Sequence, residues 1–214
     1  MQRVRCPYFR ADEPTPCNKR VPGSGCAALH GANEKHALFG WVDACVAVHP
    51  ADPPVALAAL DAVYVTEASG GGRRIPARSF NVLPREDASA HNVLRRGEII
   101  TAIEIGPAAK HSAYLKIRER ESYEYATVSA AVALDLDGDT ITRARIALGS
   151  VAMRPWRLEV TEHALAGARL GSPDIAAAVD AGFHEARPLS SNAYKVTLAH
   201  NAALRTIELA ARAS

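Results

Sequence analysis

The chain has 214 residues, 48% of them hydrophobic and 22% charged, with a formal charge of +2. That composition is ordinary for a globular protein and argues against disorder, and the length suffices for one large domain or two small ones. So small a charge, without a long basic run, argues against nucleic-acid binding, and no apolar stretch nears the roughly 20 residues that cross a bilayer.

The N-terminal stretch from Arg5 to Asp52 holds all four cysteines, Cys6, Cys17, Cys26 and Cys45, spaced C-x10-C-x8-C-x18-C. It is rich in Pro, Gly and charge and keeps no helix or strand period, so something other than a packed apolar face is expected to fix it. Three readings stand side by side. The thiols are unligated, since the tight C-x2-C pairs of zinc ribbons and ferredoxins are missing. They form disulfides, against which stand the missing signal peptide and a chain long enough to build its own core. Or they hold one metal centre, for which an iron–sulfur cluster suits the wide, irregular spacing better than zinc. With no secretory or twin-arginine leader read before them, reduced thiols point to the cytosol. His30, His36 and His49 lie nearest and read as polar surface, with His49 the one to watch.

Asp52-Pro53-Pro54 starts a short helix that ends near Asp61, with Asp52 as its expected N-cap. AVYVTE and RRIPARSF read as strands joined through Gly70 to Gly72. The triple glycine lacks a following Gly-Lys-Ser/Thr, so it is a hairpin rather than a phosphate loop. EIITAIEI follows, where Ile99, Ile103 and Ile105 alternate with charged or small neighbours as in a half-buried strand. Gly106-Pro107 breaks the pattern and marks a domain boundary. Beyond it SAYLKIRER, VSAAVALDL and TITRARIALGS read as strands, the last two turning at Asp137-Gly138. The run from Asp135 to Asp139 lacks the downstream Glu of a calcium loop and reads as a solvated turn. Three helices close the chain, one from near Pro155 to Gly167, one opening at Ser172-Pro173, and one from about Ala193 to Ala211. Strands followed by clustered helices define an α+β fold. Residues from Ala108 onward are expected to fold as a unit.

Several stretches, in order, resemble the FAD-binding medium subunit of the molybdenum hydroxylases, the xanthine dehydrogenase and CO dehydrogenase family. They are QRVRCPYFR, PCNKRVPGSGC, HPAD with VALAALDA, GEIITAIEI, YLKIRERESYEYATVSAAVAL, RARIALGSVAMRPWR and ARPLSSNAYKVTLA. The chain is most similar to the iron–sulfur-containing flavoprotein subunit of bacterial aldehyde oxidoreductases. The resemblance implies residues 1–107 as the C-terminal part of a PCMH-type FAD-binding domain, with a cysteine-rich segment at 5–52. It implies 108–214 as a CO-dehydrogenase-flavoprotein C-terminal-like domain, an antiparallel sheet plus three helices. It also implies that Cys6, Cys17, Cys26 and Cys45 ligate one [4Fe–4S] cluster.

The same resemblance implies flavin contacts. Asp52 matches an acid that contacts FAD, though Ala51 replaces the usual Ser before it. Ile99 and Ile100 match backbone and apolar contacts. Lys116 matches a lysine reaching toward the flavin, and strand alternation would put Lys116, Arg118 and Arg120 on one cationic face suited to an anionic dinucleotide. Tyr123 and Tyr125 are aromatic candidates for stacking on the ring. Each also has an ordinary reading: strand core for the isoleucines, solvent for the lysine, loop packing for the tyrosines. The family's pyrophosphate-binding glycine turns have no counterpart, since Met1 falls midway through the family's flavin domain. A fragment, a split or mis-started gene, or a cofactor-poor remnant would each look like this.

The implied function is electron relay within a heteromeric complex. A large subunit with the molybdopterin cofactor oxidises an aldehyde or N-heterocycle, and a [2Fe–2S] small subunit passes electrons to FAD held here and on to an external acceptor. The alternatives are a docking or assembly piece that binds no flavin and a zinc-stabilised interaction module. No nucleic acid or membrane partner is expected. The location is cytoplasmic, or periplasmic if a partner carries the export signal. The lone chain is expected to bind FAD weakly or not at all.

Overall fold

The structure, a computed structural model, describes residues 6–213. Two antiparallel sheets organise it. The smaller has the order β2-β1-β3, built from β1 (Val63–Glu67), β2 (Arg73–Pro76) and β3 (Ile99–Glu104). The larger runs β4-β5-β6-β7 from β4 (His111–Ile117), β5 (Val128–Asp137), β6 (Thr140–Gly149) and β7 (Trp156–Arg157). The helices are α1 (Pro7–Arg10), α2 (Asp52–Ala59), α3 (Glu159–Ala164), α4 (Asp174–Gly182) and α5 (Tyr194–Arg212).

Strand alternation explains how the larger sheet is covered. On β5, Val128, Ala130, Val132 and Leu134 point into the main core, opposite Leu148, Ile146 and Ala144 of β6. Against that face lies α5, whose Ala199, Ala202, Ala203, Thr206, Ile207 and Ala210 form a buried stripe at helical spacing. The other face carries Ala131 and Ala147, and α2 settles on them through Val55, Ala58 and Ala59. Small side chains permit that close approach. A Cβ on Gly149 would lie 2.6 Å from Val55 Cγ2 and 2.2 Å from Ser129 Oγ. Both faces of β5 are therefore buried. The β5–β6 turn at Gly138, with φ +55, forms as expected.

Three expectations change. The first C-terminal helix begins at Glu159 rather than near Pro155, because Trp156 and Arg157 pair with Leu148 and Ala147 as an edge strand. In β3 all six residues are exposed, Ile99 by 62% and Ile103 by 48%, so its isoleucine alternation finds no second layer. The smaller sheet buries only the side that carries Tyr64 and Ile75, against Leu57, Ala62 and Ala77. Third, the cysteine-bearing segment does have a packed apolar part. Ala37, Leu38, Phe39, Val46, Ala47 and Val48 are almost fully buried, and Leu38 and Phe39 join the core of the larger sheet. Phe39 stacks on Trp156 with ring centres 5.2 Å apart.

Polar locks hold this segment to the C-terminal helices. Lys195 is fully buried, and its ammonium donates to the carbonyls of His36 and Ser150, both at 2.8 Å, and of Lys35 at 3.2 Å. Asn192 donates to the carbonyls of His36 and Ala37, and Asn33 accepts from the Ser191 amide. Each satisfies backbone groups that an irregular buried segment leaves without ladder partners.

Candidate functional site

All four cysteines are free, with Cys6, Cys17 and Cys45 buried and Cys26 partly so. They come from four separate stretches yet line one small cavity, together with Phe9, Lys19 and Ala28. Cys6 precedes α1, Cys17 and Cys26 face each other across an antiparallel bridge, and Cys45 closes a turn with Val42. Local hydrogen bonds fold this unperiodic stretch. Asn18 Oδ1 accepts from the amides of Gly23 and Gly25, and its Nδ2 donates to the Ala44 carbonyl at 2.8 Å. The hydroxyl of Tyr8 accepts from the Ala32 amide at 2.7 Å. Asparagine is suited to this, since its amide mimics a backbone turn.

Burial pushes the Cys6 thiol up to about 11; the amides of Phe9 and Tyr8 oppose that, and Cys45 and Cys17 add to it. Cys45 is raised chiefly by burial, opposed by the Ala47 amide and the Lys19 charge. Thiols that raise one another in an apolar cavity gain from a shared cation, because a bound metal favours every thiolate at once. The four sulfurs share apolar walls, with backbone amides donating to Cys6 and Cys45. Among the described residues no group of three or more His, Cys, Asp or Glu is placed to hold a metal ion.

The nearby histidines are less exposed than expected. His36 is 2% exposed. His49 is held down to about 4, first by burial and then by the proximity of His91; its amide donates to the Ala152 carbonyl at 2.9 Å.

A second site lies where α2 meets β4. Asp52 is the first residue of α2, and its side chain caps nothing. It turns instead to β4, taking a hydrogen bond from Tyr114 at 2.9 Å and an ion pair from Lys116 at 2.6 Å. Tyr114 and Lys116 are two apart on one strand and so share a face. Burial, followed by contact with the Asp52 carboxylate, raises the Tyr114 hydroxyl, against the pull of Ser129. Asp52 and Lys116, with Tyr123, Glu124 and Tyr125, line a pocket of about 330 Å³. Tyr123 is 97% exposed at its mouth.

Not every sequence candidate gathers there. β4 ends at Ile117, so strand alternation no longer directs Arg118 and Arg120 to the face of Lys116. Ile99 and Ile100 stand on the other sheet, exposed, and do not line this pocket. Tyr114 was missed, although its place two residues before Lys116 could have revealed it. Lys19 was missed too, and no local pattern marks it.

The fold is that of the flavin-binding subunits of molybdenum hydroxylases, an α+β chain whose antiparallel sheet is backed by the C-terminal helices. Residues 113–210 match the CO dehydrogenase flavoprotein C-terminal domain family, and 202 residues of the chain align with an FAD-binding subunit. It is 42% identical over 202 residues to the aldehyde oxidoreductase FAD-binding subunit PaoB of Escherichia coli, covering 93% of this chain and 60% of PaoB. To the carbon monoxide dehydrogenase medium chain of Afipia carboxidovorans it is 32% identical over 130 residues, 60% of this chain and 43% of that one. Carbon monoxide dehydrogenase from Hydrogenophaga pseudoflava superposes with a TM-score of 0.66 at 29% identity, over 76% of this chain and 57% of that one. The chain thus spans about 60% of the length of PaoB. Among the described residues no helix is long and apolar enough to cross a membrane.

Proposed function

We propose that this chain is the FAD-binding electron-transfer subunit of a molybdenum-containing aldehyde or xanthine-type dehydrogenase, and that Cys6, Cys17, Cys26 and Cys45 hold a [4Fe–4S] cluster. The observation that carries the reading is the meeting of four distant cysteines around one cavity, in a chain related to FAD-binding subunits. Its partners would be a molybdopterin-binding large subunit and a [2Fe–2S] small subunit. Bound flavin and cluster supply electron transfer to an external acceptor; the protein holds and tunes them.

Asp52, Lys116 and Tyr123, with Arg118 and Arg120 nearby, would form part of the flavin site, and Ile99 and Ile100 an apolar part on the other sheet. Lys116 would present an ammonium to an anionic flavin while Asp52 and Tyr114 fix its position. The pyrophosphate needs convergent backbone amides on glycine turns. Gly70 and Gly71 instead sit in the β1–β2 hairpin. Hydrogen bonds left unmade to two phosphates cost about 1.5–3 kcal/mol each. That is a hundredfold or more in affinity at about 1.4 kcal/mol per decade.

Two measurements test this. Anaerobic reconstitution with iron and sulfide analysis should give one cluster per chain, and each single Cys→Ser variant should lower it; full clusters in all four variants would end the assignment. Flavin titration should find weak binding to the lone chain and tight binding when a co-expressed polypeptide supplies the glycine turns. In that complemented protein Lys116→Met should weaken flavin binding about tenfold or more. Stoichiometric FAD on the lone chain would show that the site lies elsewhere. No FAD even after complementation would favour a docking subunit.

A further inference from the structure

Lys19 is the one side chain with a full charge among the described residues lining the cysteine cavity. Among the described residues its ammonium makes no ion pair. It donates to two carbonyls, Ala90 at 2.7 Å and Ala88 at 3.0 Å, 71 and 69 residues away in sequence. Two carbonyl oxygens fix the ammonium without neutralising it. Lys19 lines the same cavity as Cys6, Cys17, Cys26 and Cys45, so its charge lies beside the sulfur set.

The receiving loop is itself built to stay in place. Asp87 Oδ1 accepts from the amides of Ser89 and Ala90 and from the Ser89 hydroxyl. His91, next along, meets Phe9 edge to face with ring centres 5.7 Å apart, and Phe9 lines the cavity. Apolar walls raise the strength of any charge acting across them.

We propose that Lys19 sets the reduction potential of the centre held by Cys6, Cys17, Cys26 and Cys45, by stabilising its more negative, reduced state. The inference rests on the cluster reading above. A fixed positive charge beside a thiolate-ligated group favours the electron-rich form, so its removal makes reduction harder; charge and hydrogen bonding are known levers on such potentials. Lys19 acts through space and is a tuning residue, not a ligand. Asp87 opposes it, since its carboxylate offsets part of the ammonium's field.

The test is potentiometry on the reconstituted full chain, followed by visible absorbance. Lys19→Gln, which keeps one donor for the loop and loses the charge, should lower the one-electron reduction equilibrium about tenfold, ~59 mV. Lys19→Arg should stay near the parent, and Asp87→Asn should shift the opposite way. An unchanged potential in Lys19→Gln would overturn the proposal, as would a fall in Lys19→Arg equal to that in Lys19→Gln, which would assign the effect to loop geometry. If Lys19→Gln retains no cluster, Lys19→Arg decides: parental iron and sulfide content and potential support the charge, and loss of either overturns it. A parent chain that takes up no iron and sulfide sinks the cluster reading itself, an outcome distinct from all of these.

Discussion

His49 shows how one side chain makes stability depend on pH. Its ring is kept neutral by burial, with protonation delayed from the usual 6.5 to about 4, and among the described residues its Nδ1 has no hydrogen-bond partner. The unfolded chain binds a proton at this residue below about 6.5, and the folded chain does not until about 4. Stability is therefore full above that window and falls as pH drops through it, then levels off. The difference amounts to about 3 kcal/mol at ~1.4 kcal/mol per pH unit. Urea denaturation from pH 7 to 4 should show this slope, and His49→Gln should flatten most of it. At this scale the sequence was partly legible. Cysteine clustering pointed to one site because thiols rarely crowd by chance, and Asp52 and Lys116 were singled out before their 2.6 Å contact was seen. Lys19 was invisible, because its meaning comes from carbonyls supplied by a distant loop. Asp52 as N-cap failed because a strand offered its carboxylate a cation and a hydroxyl.

Elements were most legible where they begin and turn. Proline after Asp52 and after Ser172 marked α2 and α4, and the Asp137-Gly138 step marked the β5–β6 hairpin. What alternation could not say is whether a face has a neighbour. β3 has the isoleucines of a half-buried strand and buries none of them, whereas β5 buries both sides because α2 arrives from elsewhere in the chain. The contrast gives two expectations. Ile103→Thr should change the stability of this chain by no more than about 0.5 kcal/mol, as for an exposed site. Gly149→Ala should cost about 1–3 kcal/mol, because its methyl meets Val55 and Ser129 and pushes α2 off the sheet. Chemical denaturation of both variants would test the pair; equal effects would contradict the packing.

For the whole molecule, the family match at 113–210 does not describe a closed core. Phe39 lies between Trp156 and Phe183, with ring centres 5.2 and 5.6 Å away. Leu38 is buried in the same cluster. A fragment of residues 108–214 would lack both side chains, each worth about 2–5 kcal/mol on removal, and would leave Lys195 without the carbonyls of Lys35 and His36. Where the sequence suggested independent folding from Ala108, the packing leads to a different expectation. That fragment should melt broadly or at much lower temperature, while residues 33–214 should melt cooperatively; calorimetry of the two decides.

The Lys195 anchor also sets a timetable. Cys6 leaves the ribosome first, but the ammonium that fastens His36 is encoded 159 residues after it. At about 5–20 residues per second, translation separates Cys6 from Lys195 by on the order of 10–40 s. Over that interval the thiols belong to a segment whose distal clasp has yet to be made. Any group they carry is therefore expected to be loaded after synthesis rather than during it. Nascent chains stalled at residue 150 should let maleimide reach Cys6 and Cys45 freely, and release of the complete chain should shut it out.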